Sequence, residues 1–283
     1  MSKGYVILAQ NSKHGNYLDM AYVLALTIKT TQSEIKSVSL ITDVVDAVPH
    51  HYREIFDHVI EIPWFDDALN SDWKIENRWK IYHITPYDET VVLDADMLFL
   101  TDVSHWWKYL SRNHEICFVN APVTYRNEAI TETYYRKTFV DNNLPNFYSA
   151  FMYFKKCELS EQYWKMVEII TKNWKTFYST YLSESTPKNL SMDVTFALAA
   201  KIMNIETQAV PPNYITFVHM KGRCQNWKLN SDDWRNYAAA HVDKNGNLKV
   251  GNYKQTGIFH YTEKEFVSVA YHVFEGFYKE ISK

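Results

Sequence analysis

Two carboxylates one residue apart interrupt an apolar run, Val91-Val92-Leu93-Asp94-Ala95-Asp96-Met97-Leu98-Phe99-Leu100. Such a run reads as a strand buried on both faces, where charge is costly unless it is paired or bound to a metal. Residues i and i+2 of a strand project to the same side, so Asp94 and Asp96 can share one partner. A hard divalent cation suits them, because Mg²⁺ is held by one or two carboxylates together with substrate phosphates. The chemistry this suggests is chemistry on a nucleotide diphosphate. Other candidate groups are the basic cluster Lys74, Arg78 and Lys80, the acid Asp193, and His219 and His260, each of which follows a short apolar strand.

The elements that must position these groups alternate. Tyr5 to Ala9 reads as a buried strand, followed by a polar loop and a helix from Tyr17 with Asn16 as its cap. Val38 to Ile41 and Val59 to Ile62 read as strands, with a short helix from Pro49 to Phe56 between them. Asn77 to Ile84 reads as a helix stopped by Pro86, and the acidic strand follows. Alternation of this kind predicts a mostly parallel sheet flanked by helices, with the ligand beyond the carboxyl ends of the strands. Further on, Ala150 to Phe154 reads as a strand, Glu161 to Tyr181 and Met192 to Met203 as helices, and Ile215 to Val218 as a strand. The Asn245-Gly246 pair predicts a hairpin over 241–250, and Glu263 to Ile281 a closing amphipathic helix. The whole chain reads as a single α/β domain: residues 1–110 form a nucleotide-binding half and 111–283 a sugar and acceptor half.

Composition narrows the partners. Across 283 residues, a net charge of −3 argues against broad electrostatic binding to nucleic acid. Aromatic residues are plentiful (21 Tyr, 15 Phe and 9 Trp) and supply both core volume and stacking faces for bases and sugars. The three cysteines, Cys117, Cys157 and Cys224, show neither zinc-ligand spacing nor an even disulfide framework, which fits a reducing cytoplasmic setting. No apolar stretch reaches spanning length, so no membrane partner is expected. With only seven glycines, the chain has neither a Gly-x-Gly-x-x-Gly nor a Walker-type loop. Bound phosphates would therefore be held by metal and side chains.

Val-Val-Leu-Asp-Ala-Asp-Met-Leu resembles the acidic strand of GT-A-fold glycosyltransferases, especially the glycogenin and bacterial galactosyltransferase-like group, and the chain also resembles phage-encoded proteins of this class. The resemblance extends in motif order over roughly residues 4 to 265. Ala9-Gln10-Asn11 is similar to the family's nucleotide-binding strand, and Arg78 stands where the family places an arginine near the diphosphate. Tyr148 to Phe154 resembles the strand lining the sugar pocket, and Ser191-Met192-Asp193 the segment beside the transferring sugar. His260-Tyr261-Thr262-Glu263-Lys264 resembles a late segment that provides a third metal ligand and a phosphate-contacting lysine. The pattern departs at Ala150, where the family has glycine, and at Val194, where it has glutamine. The late segment also lacks its glycine and its Pro-Trp.

The resemblance implies a metal-dependent, retaining glycosyltransferase that uses a nucleotide-diphosphate sugar, expected to be a UDP-sugar. Asp94, Asp96 and His260, or alternatively His219, would hold Mn²⁺ or Mg²⁺. Ala9, Gln10, Asn11, Asp43, Arg78, Asp94, Ala95 and Lys264 would contact the donor. Asp193 and Arg78 would act at the reaction centre, although a carboxylate at a helix start also reads as a cap. The acceptor stays open among a glycan, a protein, a small molecule and a modified DNA base. For a DNA acceptor, Lys172, Lys175, Lys221, Arg223 and Lys228 are the groove candidates; Trp227 and Trp234 are candidate acceptor contacts in general. Two other readings are a nucleotidyltransferase that makes a nucleotide sugar, and a noncatalytic nucleotide-sugar-binding protein. The basic glycine-rich loop of the former is matched poorly by Asn11-Ser12-Lys13-His14-Gly15.

Overall fold

The structure is a computed structural model that describes residues 1–130, 136–210, 214–220, 238–261 and 265–281. The first half runs β1 (Lys3–Leu8), α1 (Tyr17–Thr31), β2 (Val38–Thr42), α2 (His50–Arg53), β3 (His58–Glu61), a 3-10 turn (Arg78–Lys80), α3 (Ile81–Ile84), β4 (Glu89–Leu93) and β5 (Met97–Phe99). Next come α4 (His105–Asn113), β6 (Ile116–Val119), α5 (Lys137–Asp141), β7 (Tyr148–Lys155), α6 (Glu158–Lys172), α7 (Trp174–Tyr181) and α8 (Met192–Ile202). The last elements are β8 (Phe217–His219), β9 (Ala240–Val242), β10 (Leu248–Val250), β11 (Tyr253–Lys254), β12 (Ile258–His260) and α9 (Glu265–Ile281).

The central sheet has the order β3-β2-β1-β4-β7-β6. β3, β2, β1 and β4 are parallel, and β7 is antiparallel to both β4 and β6, so only β7 runs against the rest. Successive residues of β1 and β4 face opposite cores. Tyr5, Ile7, Val91 and Leu93 join α1 on one face, whereas Val6 and Val92 join α6 and α8 on the other. Each fully buried Val, Leu or Ile side chain contributes roughly 1.5–3 kcal/mol, so a one-residue slip, which would reverse every facing, is strongly disfavoured. Helix α1 is buried along almost its whole length because α9 covers its outer side, with Ala270 and Phe274 in the same core.

The acidic run departs from the single strand its apolarity predicts. Strand β4 ends at Leu93, Asp94-Ala95-Asp96 is a turn, and the chain enters a second sheet at Met97. That second sheet has the order β5-β12-β8, with β12 antiparallel to β5 and parallel to β8. Both flanking strands are wholly buried, which is why the run looks continuous. The helix expected over Asn77 to Ile84 is a 3-10 turn followed by one α turn, and the long helix expected to reach Tyr181 breaks at Asn173. The Asn-Gly hairpin forms as β9 and β10, with Gly246 at φ +75°, a conformation that glycine adopts without strain. Among the described residues no helix is long and apolar enough to cross a membrane.

Candidate functional site

Asp94 and Asp96 lie at the junction of the two sheets, and backbone contacts fix both. Asp94 N donates to Ala150 O of β7 at 3.1 Å, and Tyr261 N, just past β12, donates to Asp96 O at 3.1 Å. The second sheet aligns Met97 with His260 across β5 and β12, which carries the imidazole to the carboxylates. His260 Nε2 lies 3.2 Å from Asp96 Oδ1 and 3.9 Å from Asp94 Oδ2. One potential ligand atom from each of Asp94, Asp96 and His260 falls within 4.8 Å of the others. Two like charges at that separation repel by roughly 3 kcal/mol at an effective dielectric of 20. Two hard oxygens and one borderline nitrogen form a donor set that fits a divalent cation of the Mn²⁺ or Mg²⁺ type.

Arg78 is the member of the basic cluster that reaches this centre. Its Nη1 lies 2.5 Å from Asp94 Oδ1, and its Nη2 donates to Ser149 O at 2.7 Å. It is buried, so the guanidinium is a fixed charge. Lys74 instead donates to the carbonyls of Ala68 and Leu69 at 2.8 and 2.9 Å, and buried Lys80 is tied to Phe65 O and Asp67. Tyr17 reports the local negative charge. Burial first, then Asp96 and Asp94, push its phenol up to about 12.

Asp193 lies in the first turn of α8, but the cap is Ser191, whose side chain accepts from Val194 N. Each oxygen of Asp193 has a donor: Ser149 N at 2.8 Å on Oδ1 and Arg136 Nη1 at 2.5 Å on Oδ2. The Arg136 guanidinium sits 3.7 Å from the Phe139 ring centroid and 4.0 Å from that of Tyr148, within cation–π range of both. It also donates through Nε to Asn146 Oδ1 at 2.7 Å and through Nη2 to Phe147 O. The backbone of Ser149 therefore lies between the two acidic centres: its carbonyl accepts from Arg78 and its N–H donates to Asp193. Sequence reading missed Arg136, and no spacing signal marks it.

A half-open pocket of about 370 Å³ lies beyond β1 and β2, lined by residues that include Asn11, Asn16, Asp19, Asp43 and Tyr52. Two of the expected donor contacts, Asn11 and Asp43, are thus brought together. Gln10 is buried and turned elsewhere, donating to Asp66 at 3.2 Å and accepting from Asn77 at 2.7 Å. Ala9 and Ala95 are buried, so any donor contact from them is a backbone contact. Lys172 pairs with Glu168 at 2.8 Å, and Lys175 lies over the Trp174 ring. Lys264, Lys221, Arg223, Lys228, Trp227, Trp234 and Cys224 lie outside the described residues.

The strand order, the single reversed strand β7 and the acidic turn closing the central strand fit a GT-A fold. The chain is similar to mouse xyloside xylosyltransferase 1 in its apo form, at a TM-score of 0.54 and 12% identity, over 93% of this chain and 98% of that one. It is also similar to the galactosyltransferase LgtC, solved in complex with donor and acceptor sugar analogs, at a TM-score of 0.53 and 11% identity, over 98% of this chain and 95% of that one. No family model matches the chain. A stretch of 107 residues is 27% identical to an uncharacterized protein of Acanthamoeba polyphaga mimivirus, covering 34% of this chain and 37% of that relative. The chain thus spans little more than a third of that relative's length.

Proposed function

We propose that the protein is a metal-dependent glycosyltransferase that moves a sugar from a nucleotide-diphosphate sugar, a UDP-sugar, to an acceptor hydroxyl. The observation carrying this reading is the convergence of Asp94, Asp96 and His260 beyond the carboxyl end of the central strand. These three residues would hold Mn²⁺ or Mg²⁺, which when bound neutralises charge developing on the leaving diphosphate. Arg78 keeps Asp94 in place and adds a fixed positive charge near the same phosphates, with Lys264 in a similar role. Asn11 and Asp43 contact base or ribose in the pocket they line, and the backbone of Ala9, Gln10 and Ala95 borders the donor. Asp193 faces the sugar, where its fixed negative charge stabilises positive charge at the anomeric carbon. Retention of configuration, a cytoplasmic location and the organisation of 1–283 as one domain belong to the same proposal.

The reading is tested by incubating the protein with Mn²⁺ and a panel of nucleotide sugars and following nucleoside diphosphate release. Release from one donor class, abolished by EDTA, is the expected result. No release from any donor, together with no metal-dependent nucleotide binding, overturns it.

A further inference from the structure

His219 and His260 compete for one role when only their positions in the chain are considered, yet the fold makes them neighbours. Strands β8 and β12 are parallel and in register, with His219 directly opposite His260. Backbone bonds hold both residues: Met220 N donates to His260 O at 2.9 Å, and His219 N donates to Val123 O at 2.9 Å. The two Nδ1 atoms lie 3.0 Å apart. His260 therefore meets the carboxylates with its Nε2 edge and His219 with its Nδ1 edge. Among the described residues the group of potential metal ligands contains Asp94, Asp96 and His260, and His219 stands behind it.

We propose that His219 is a positioning residue that sets the tautomer of His260 by accepting a hydrogen bond from its Nδ1–H. The proposal rests on the reading of Asp94, Asp96 and His260 as a cation site. For Nε2 of His260 to offer a lone pair to a cation, the ring proton must sit on Nδ1. Nδ1 faces His219 Nδ1, so that atom must be an unprotonated acceptor, and the proton of His219 must then sit on its own Nε2. Without a cation the opposite arrangement satisfies the same distances: His260 Nε2–H donates to Asp96, and His219 Nδ1–H donates to His260 Nδ1. The two arrangements contain the same protons. One proton crosses the bond between the rings, His260 Nε2 gives one up, and His219 Nε2 takes one up.

A metal-bound histidine generally has its second nitrogen held by a carboxylate, carbonyl or water. Here the holder is a second imidazole, which switches from donor to acceptor without a change in total charge. Ring contacts with Phe217 and Tyr148, at centroid distances of 5.8 and 5.3 Å, keep the His219 ring in its plane.

The test is the Mn²⁺ affinity of the full chain, read from the electron paramagnetic resonance signal of free Mn²⁺. His219→Phe keeps a flat ring and removes the acceptor; its affinity is expected to fall about 10- to 100-fold. His219→Asn places an amide oxygen near the lost Nδ1 and is expected to recover most of that loss. His260→Ala is expected to weaken binding more than either. Long-range ¹H–¹⁵N spectra with saturating Mg²⁺ should show His260 protonated at Nδ1 and His219 at Nε2. Unchanged Mn²⁺ affinity in a folded His219→Phe variant overturns the proposal alone. A loss equal to that of His260→Ala, without recovery in His219→Asn, also overturns it and makes His219 a direct ligand. A wild-type chain that binds neither ion overturns the cation site itself, and the proposal with it.

Discussion

Asp94 and Asp96 sit where two sheets meet, and three potential ligand atoms, two from one turn and one from β12, converge there. Asp193 sits in the first turn of a helix with a donor already placed on each of its oxygens. The first arrangement gathers negative charge that a cation would relieve. The second fixes one carboxylate by surrounding it with N–H groups. Asp94 is braced by Arg78 yet still converges with Asp96 and His260 on one point, whereas Asp193 has an N–H donor on each oxygen and no such convergence among the described residues. Ser149 touches both centres, with its carbonyl accepting from Arg78 and its N–H donating to Asp193.

The largest effect should come from the converging side. Asp96→Asn is expected to lower kcat/KM by about 10³-fold or more, because a metal contributes several kcal/mol of charge stabilisation. Mn²⁺ binding should be lost in the same variant, and a variant that still binds Mn²⁺ normally would erase the contrast. Asp193→Asn should behave differently. Metal-dependent nucleotide binding should survive, measured by calorimetry, while kcat falls by about 10²-fold. Loss of nucleotide binding in Asp193→Asn would mean that the two centres are one.

A smaller effect tests the bracing itself. Arg136→Ala leaves Asp193 without its guanidinium and is expected to cost about 2 kcal/mol in urea unfolding, less than for a fully buried pair because both side chains are partly exposed. Arg136→Lys, which cannot reproduce the planar fork, should recover only part of this. Equal stability of the wild type and Arg136→Ala would remove Arg136 from the account.

The smallest effect is read from Tyr17. Burial and the nearby Asp96 and Asp94 raise its phenol from 10.0 to about 12. The raised value means that the folded state holds this proton more tightly than the unfolded chain. The resulting stability is therefore fully present below pH 10 and is lost as pH rises through 12. Tyrosinate absorbance of wild type minus Tyr17→Phe should show the late-titrating phenol, and Asp96→Asn should bring it earlier. An unchanged phenol in Asp96→Asn would show that Asp96 does not contribute and leave burial and Asp94 to set it.

The acidic pair was legible because two carboxylates in an apolar run need a partner. Its turn was hidden because β4 and β5 are both buried, so the run keeps strand-like composition while the chain changes sheets. Both His219 and His260 could be nominated from their place after apolar strands, but their adjacency depends on the β8–β12 register, a tertiary fact. Arg136 was illegible for the same reason: its partner Asp193 is 57 positions away, and its ring contacts come from Phe139 and Tyr148. Alternation of strands and helices identified the mostly parallel sheet, yet it carries no information that β7 runs backwards. Proximity in the chain decided the first basic cluster only in part, since Arg78 alone of Lys74, Arg78 and Lys80 turns toward Asp94.

Calorimetric titration of UDP into the wild type and Asp96→Asn, each with Mn²⁺ and with EDTA, bears most directly on the central claim. Binding to the wild type with Mn²⁺ is expected, weakened at least about tenfold both by EDTA and by the substitution. Equal affinity in all four titrations, or no UDP binding to the wild type with Mn²⁺, would contradict it.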